Sequence, residues 1–218
     1  MLRVSFPANV RSDHASFDIQ YGYCRRPTHR NTSWDQARFE VAAHKYVDLS
    51  DQDYGVALLN DSKYGHKVHE NVLDLNLLRS TNYPDYDADQ GEHEFTYSLL
   101  PHKGSLVESD VMIEAAALNQ GLIVLPGYEA GSFQFPCRLD SRGISLEVLK
   151  RAEKESCWII RLVERHGRCS KGTIQFARPM ECIETDLMEW QDGKAIPVQK
   201  TMRSEEHTSE LQSTNTIS

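Results

Sequence analysis

The sequence predicts an all-β protein: part of a large antiparallel β-sandwich, then a smaller β-sandwich, with a short helix or linker between them. Two observations lead to this prediction. Apolar and polar residues alternate along most segments, as in strands with one face in a core. Turn residues separate these segments about every dozen residues, and this spacing without intervening helices is typical of a β-sandwich.

The first half of the chain is predicted to form antiparallel strands. Alternation of apolar and polar residues runs through 17–23 and again through 39–49. Further strands are predicted at 55–59, 73–77 and 93–99, the last closed by Pro101. We therefore assign residues 1–108 to the larger of two β units.

One segment breaks the pattern. Residues 111–121 are rich in alanine, follow Ser109 and Asp110 as candidate N-caps, and end at Gly121. This predicts a helical linker over 109–121. Strands are then expected at 121–125, 144–149, 157–164, 173–177 and around 182–190, so residues 122–202 form the small sandwich, which we expect to be truncated.

Composition excludes several classes of partner. The net charge is −8 and no Lys/Arg cluster is longer than a pair, whereas nucleic acid and anionic membranes require a concentrated basic face. No apolar run approaches about 18 residues. The five cysteines are scattered without a C-x-x-C pair, which indicates reduced thiols and a cytoplasmic location. We expect no nucleic-acid partner and no membrane partner.

Two polar clusters, at 60–70 and 87–94, are candidates for a metal site. His66 and His69 are three residues apart, so in a strand they point to opposite faces and do not chelate one ion. His93 and Glu92 would have to converge with them. We predict no metal site; a small metal-dependent hydrolase using His66, His69 and His93 is the alternative.

Three stretches carry a resemblance to a known family. They are RPTHRNTSWD at 26–35, Asn60-Asp61 with KYGH at 63–66, and DQGEH at 89–93. Over residues 2–202 the chain is similar to the C-terminal half of bacterial and cytosolic family 38 glycoside hydrolases, the α-mannosidases. The resemblance implies a supersandwich-like fold in which residues 1–108 are the late part of the large sandwich. It also implies a full-length enzyme that cleaves α-mannosides with retention, using zinc and an Asp nucleophile in a barrel-like domain. Nothing here matches those ligands or that nucleophile, so we expect a fragment that is inactive alone and holds no cofactor.

The resemblance also implies that loops at one end of the sandwich reach the catalytic pocket. Charged, amide and aromatic side chains suit the hydroxyls and flat face of mannose. The candidates for sugar contact are His29, Arg30, Asn31, Trp34, Lys63, Tyr64, Asp89 and Glu92. The alternative is that they tie loops together, as Arg30 with Asp35 or Lys63 with Glu92, or seal the interface with the barrel.

The expected partners are the missing catalytic barrel of the same chain, an α-mannoside or oligosaccharide, and a second copy of the chain. A standalone carbohydrate-binding module is the alternative function. The last residues stand apart: RSEEHTSELQS, from Arg203, resembles the direct translation of a sequencing adaptor. Residues 203–218 are therefore predicted to be an artefactual, disordered tail.

Overall fold

Two units of antiparallel strands make up the fold. The protein's computed structural model describes residues 1–124, 126–127, 136–153, 155–190, 192–198, 201–206 and 212–216. Contacts between Cα atoms divide the chain into unit 1, Met1–Ile123, and unit 2, Val124–Ser218. The prediction of an all-β fold is confirmed.

Unit 1 is a sandwich of two sheets. Sheet I has the strand order β1-β8-β7-β4, with β1 at Leu2–Pro7, β4 at Val41–Ala42, β7 at Gly65–His69 and β8 at Val72–Leu78. Sheet II has the order β3-β2-β5-β6-β9, with β2 at His14–Ile19, β3 at Gly22–Pro27, β5 at Tyr46–Ser50, β6 at Tyr54–Asn60 and β9 at Tyr97–Lys103. Buried Val47, Leu49, Leu58, Leu73 and Leu75 belong to their common core.

Several predicted strand bounds are wrong. The alternation at 17–23 reverses at Gln20 and Tyr21, where Tyr21 has a φ of 60°, and forms the β2–β3 hairpin. The alternation at 39–49 divides between β4 in sheet I and β5 in sheet II. The strand predicted at 93–99 begins at Tyr97 and runs through Pro101. Alternation can persist across a turn, so the pattern alone does not locate the break.

One helix, α2 at Val111–Asn119, covers part of the outer face of sheet II, and it lies where the sequence predicts a helix. The short helix α1 lies at Ser33–Ala37 and has no buried residue. Val111 and Ala115 of α2 belong to a cluster with Tyr46, Ala57 and Leu59. A 3₁₀ turn at Leu106–Glu108 adds Leu106. The helix predicted as a linker therefore packs as part of unit 1.

A buried ion pair crosses three strands on this face. The His102 Nε2 atom lies 2.7 Å from Oδ1 of Asp48, whose side chain has no solvent exposure, and the Ser50 hydroxyl donates to Oδ2 at 2.7 Å. Burial opposes the charged ring, but the hydrogen bond and charge of Asp48 outweigh it and raise the pKa of His102. Gly55 of β6 is paired with His102, and a Cβ there would collide with the ring.

Unit 2 contains the later strands. The first six are β10 at Cys137–Asp140, β11 at Ile144–Arg151, β12 at Cys157–Glu164, β13 at Ser170–Phe176, β14 at Met180–Thr185 and β15 at Asp192–Val198. Ile144, Ile160, Leu162, Ile174 and Phe176 are among its core residues. All five cysteines are free. No strand forms at 121–124, although one is predicted at 121–125; Leu125 lies outside the described residues.

The end of the chain differs from the predicted disordered tail. Strand β16 at Thr201–Glu206 pairs with β13, and β17 at Gln212–Thr216 pairs with β12. Backbone N–H and C=O groups at a sheet edge accept almost any chain that can extend along them, which gives a physical reason for pairing by a polar segment. Residues 207–211 and 217–218 of the predicted tail lie outside the described residues. The adaptor origin stays a prediction.

The substitution Gly55→Ala tests the buried pair. The added methyl group displaces the His102 ring and crowds Ser50, so the buried Asp48 carboxylate loses its bond to His102. We expect a loss of about 3 kcal/mol in the free energy of unfolding, the lower end of the range for breaking a buried pair. The measurement is urea unfolding. Gly22→Ala in the same sheet is the matched control, because no atom lies within 4 Å of its added Cβ. Equal losses in the two variants would contradict the assignment.

Candidate functional site

The side chains predicted to contact sugar lie at two opposite ends of unit 1 and not on one rim. Adjacent strands of sheet II are antiparallel, so the C-terminal ends of β3 and β6 lie at opposite ends of the sandwich. After β3, the Thr28 carbonyl accepts from the Glu70 amide at 2.8 Å. After β6, the Asp61 carboxylate accepts from the Thr96 amide at 3.0 Å. We call residues 28–35 with 70–71 the His29 end, and residues 60–66 with 79–97 the Lys63 end.

At the His29 end, the predicted residues are mostly exposed. The His29 Nδ1 atom lies 3.6 Å from Oδ2 of Asp35. His29, and not Arg30 as the sequence suggests, therefore pairs with Asp35. The Thr32 hydroxyl donates to Asp35 and lowers the pKa of that carboxyl group. Arg30, Asn31 and Trp34 are exposed, with 73% of the Trp34 surface in solvent. The His29 end therefore contains the capped N-terminus of helix α1, with the exposed side chains of Arg30, Asn31 and Trp34 around it.

Two surface clefts lie near the His29 end. One of about 470 Å³ is lined in part by Arg11, Asp13 and Glu70, and the other, of about 410 Å³, in part by His14 and Ser50. None of the predicted sugar-contact residues lines either cleft. These two clefts therefore do not include the predicted sugar-contact residues.

At the Lys63 end, Lys63 and Tyr64 are neighbours with different surroundings. The Lys63 ammonium group lies 5.0 Å above the ring of Phe95, so its partner is an aromatic face and not Glu92. The Tyr64 ring packs edge-on against His44 with centroids 5.6 Å apart, and it is 59% exposed. Together they offer a cationic donor and a partly open aromatic ring.

Beneath this pair lies Asn60, which is 1% exposed. Its Oδ1 atom accepts from the amides of Ser62 at 3.1 Å and Lys63 at 2.7 Å. Its Nδ2 atom donates to the His44 carbonyl at 2.8 Å and lies 3.3 Å from Nε2 of His66. The side-chain amide thus uses its full hydrogen-bonding capacity inside the protein.

Asp89 closes the second loop of the Lys63 end. Its Oδ2 atom accepts from the amides of Ser80 at 2.8 Å and Arg79 at 3.2 Å, and these bonds, the Ser80 bond first, lower its pKa. Its backbone carbonyl lies 2.9 Å from Nε2 of His93. Glu92 is exposed in the same loop. The Asp89 carboxylate therefore organises the loop backbone.

The histidines of the polar clusters do not converge. Within the described ranges, no group of three or more His, Cys, Asp or Glu side chains could hold a metal ion. His66 is 1% exposed and bonded to Asn60, whereas His93 contacts the Asp89 backbone. The zinc that the family resemblance implies therefore has no fitting set of donors in the part of the chain that the structure describes.

Sequence reasoning missed the two residues that organise the Lys63 end. Asn60 appears there only as part of a motif, and His44 not at all. One signal could have identified Asn60: an amide directly after an apolar strand, followed by Asp and Ser, is typical of a residue that bonds the following backbone. His44 carries no such signal, because its contacts with Tyr64 and Asn60 join segments distant in sequence.

Replacing Asp89 tests its role in the loop. In Asp89→Ala, the amides of Arg79 and Ser80 lose their acceptor, so we expect their hydrogen exchange to become several-fold faster. Asp89→Asn is the matched control, because it keeps an acceptor and asparagine also tolerates the φ of 59° found here. The measurement is amide exchange by NMR. Unchanged exchange in the alanine variant would show that the two bonds do not hold the loop.

Comparisons with known proteins agree with this architecture. Residues 1–87 match the sequence model described as the glycosyl hydrolases family 38 C-terminal domain. Residues 143–214 match the one described as the glycosyl hydrolases family 38 C-terminal beta sandwich domain, a match that continues past Arg203. No helix among the described residues is long and apolar enough to cross a membrane.

Curated relatives are considerably longer than this chain. It is 45% identical over 197 residues to alpha-mannosidase 2C1 of Mus musculus, which covers 88% of this chain and 19% of that protein. Over 112 residues it is 50% identical to an alpha-mannosidase of Saccharomyces cerevisiae, covering 51% of this chain and 10% of that protein. The chain thus spans about a fifth of the length of the mouse relative.

A solved structure shares the fold. The alpha-mannosidase of Enterococcus faecalis V583 superposes with a TM-score of 0.76 at 18% identity, covering 99% of this chain and 25% of that one. Both sequence models belong to one family, and each matches a separate unit of this chain. The chain therefore belongs to glycoside hydrolase family 38, as part of the C-terminal β-sandwich region of its α-mannosidases.

Proposed function

We propose that this chain is the non-catalytic C-terminal part of an α-mannosidase, supports the catalytic domain of the same polypeptide, and is inactive alone. The observation that carries this proposal is the 45% identity to mouse alpha-mannosidase 2C1 along 88% of the chain but only 19% of that protein. In the proposal, the full-length enzyme hydrolyses α-linked mannosides with retention of configuration.

Two open sheet edges support a docked domain. β1 and β9 are outer strands of sheets I and II, and each pairs with one strand among the described residues. The rings of Phe6 on β1 and Tyr97 on β9 are 5.9 Å apart, so both edges lie on one side of the sandwich. Leu2, Tyr97 and Leu99 are 52%, 38% and 41% exposed. Because unpaired edges with exposed apolar side chains attract further chain, we assign this side to the rest of the enzyme.

Distance restricts the sugar contacts to one end. A strand of six or seven residues is about 20 Å long, so one mannose unit does not reach both ends of the sandwich. In this proposal, Lys63, Tyr64, Asp89 and Glu92 contact the α-mannoside. Lys63 supplies a charged donor and Tyr64 a partly exposed ring. The predicted residues at the His29 end then contact the catalytic barrel or a distant unit of an oligosaccharide. They are His29, Arg30, Asn31 and Trp34.

Cofactor and location follow from the same proposal. We assign the zinc ion to the catalytic domain, because the described residues offer no set of donors that fits it. The five free thiols favour a cytoplasmic enzyme. The open edges could also join two copies of the chain, so a homo-oligomer belongs to the proposal as well.

A segment exchange tests the supporting role. Residues 1–123 replace the matching segment of mouse alpha-mannosidase 2C1, and hydrolysis of p-nitrophenyl α-mannoside is measured. We expect activity in the chimera, and none in a deletion of that segment or in the present chain alone. In the chimera, Lys63→Ala should raise KM about tenfold with little change in kcat, because a charged hydrogen bond to bound sugar is lost.

The control substitution is Arg25→Ala, since Arg25 is exposed and lies on β3, the outer strand of sheet II farthest from β9. It should leave KM unchanged. A folded but inactive chimera, or mannosidase activity in the present chain alone, would contradict the proposed function. Equal effects of the two substitutions on KM would show that Lys63 does not contact the sugar, but would leave the supporting role of the chain unaffected.

Exposed aromatic rings favour a second candidate, a standalone sugar-binding module. Trp34 and Tyr64 are 73% and 59% exposed, and flat rings of this kind stack on sugars. This candidate predicts amide shifts at both residues when the chain is titrated with methyl α-mannoside. Absence of shifts at millimolar ligand would eliminate it.

A further inference from the structure

The orientation of the Asn60 amide defines the proton position on His66. Because Oδ1 accepts from the Ser62 and Lys63 amides, Nδ2 faces the His44 carbonyl and the His66 ring. The reverse orientation would set the NH₂ group against two N–H donors. Nε2 of His66 is therefore the acceptor, and the proton of the neutral ring lies on Nδ1.

Burial keeps this ring neutral. Burial lowers the pKa of His66 to about 4, and the nearby Lys63 backbone offsets this slightly. The paired residues on the adjacent strands, Val41 and Leu75, are apolar. Titratable side chains in the hydrogen-bonded segments around it are Asp18, His44, Lys45, Asp61, Lys63 and Tyr64. Among the described residues, Nδ1 has no partner of hydrogen-bonding geometry, so burial of this ring costs free energy.

The same amide sets both sides of the exposed aromatic contact. One side is His44, whose carbonyl accepts from Asn60. The other is Tyr64, which directly follows Lys63, whose backbone amide donates to Asn60. The backbone carbonyl of Tyr64 accepts from the Ala43 amide at 3.1 Å. A change in the Asn60 bonds therefore alters the position of Lys63 and Tyr64 relative to His44.

We propose that Asn60 and His66 are positioning residues, which hold Lys63 and Tyr64 in one arrangement for contact with a hydroxyl-bearing ligand. The neutral His66 ring accepts the hydrogen bond that completes the network of Asn60. The ligand contact rests on the proposed function. The positioning does not, because it concerns bonds within unit 1.

Substitutions at His66 separate the acceptor from the ring. His66→Phe keeps an aromatic ring but removes the acceptor, whereas His66→Gln supplies an amide oxygen that does not titrate. The measurement is the protection of the Ser62 and Lys63 amides against hydrogen exchange. At pH 7 we expect roughly tenfold lower protection in His66→Phe and near-normal protection in His66→Gln. The amides of Leu73 and Leu75 in the core report global unfolding.

The pH profile gives a signature that a packing role would not produce. The folded pKa of His66, about 4, lies below its ordinary value of 6.5, so the unfolded or opened form binds the proton more tightly. Loop protection in the natural chain should therefore be complete above pH 6.5 and fall as the pH drops towards 4. His66→Gln should lack this fall. Equal profiles in the two chains, or a loss shared with Leu73 and Leu75, would overturn the proposal.

Asn60→Asp provides a second test that does not require the phenylalanine variant to fold. The introduced carboxylate accepts where Asn60 donates, so it should hold His66 protonated and raise its pKa above 6.5. At about pH 5.5, ring ¹⁵N shifts should show the Nδ1–H form in the natural chain, whose His66 has a pKa of about 4, and the doubly protonated ring in the variant. An Nε2–H ring in the natural chain would contradict the network.

The ligand part is tested separately with methyl α-mannoside. We expect amide shifts at Lys63 and Tyr64 in the natural chain and at least roughly tenfold weaker binding in His66→Phe. No shifts in the natural chain would overturn the ligand contact, and with it the sugar role in the proposed function, while the exchange data decide the positioning. Equal binding in both chains would show that the arrangement held by Asn60 and His66 does not contribute to ligand contact, and would overturn that part of the proposal.

Discussion

One buried amide, that of Asn60, holds together the end of the sandwich that carries Lys63. Besides the side-chain bonds, its backbone N–H donates to the Lys45 carbonyl at 3.0 Å, and its carbonyl accepts from Nδ2 of Asn119 at 2.9 Å. Strand β6, helix α2 and the loops on both sides of it thus meet at a single residue. Because every polar group of this residue is satisfied internally, any other arrangement of these segments would leave a buried group unpaired.

Glycines make room for the other polar contacts that cross strands. Gly55 leaves space for His102 to reach Asp48 on the face covered by α2. On the outer face of sheet I, Gly65 lies beside the bond between Asn76 and Glu40, which measures 3.0 Å. At these two positions, the lack of a side chain on glycine leaves space for a polar contact between strands on the face away from the core.

The alternating pattern was sufficient to predict the fold class and several strands, including β12 at Cys157–Glu164. It failed where two strands of different sheets follow each other closely, as at Val41–Ala42 and Tyr46–Ser50, because both obey the same period. The candidate site was predicted in its residue types but not in its arrangement. Which loops share an end depends on strand direction, and pairings such as Asp61 with Thr96 join segments that sequence reasoning had no means of bringing together.

Long-read sequencing of the locus, upstream of Met1 and downstream of Met202, tests most directly whether this chain is one part of a larger α-mannosidase. The account predicts that the reading frame continues upstream into a catalytic domain carrying His and Asp zinc ligands and an Asp nucleophile, and that the residues from Arg203 are absent from the genomic frame. An in-frame stop codon directly before Met1 would contradict it.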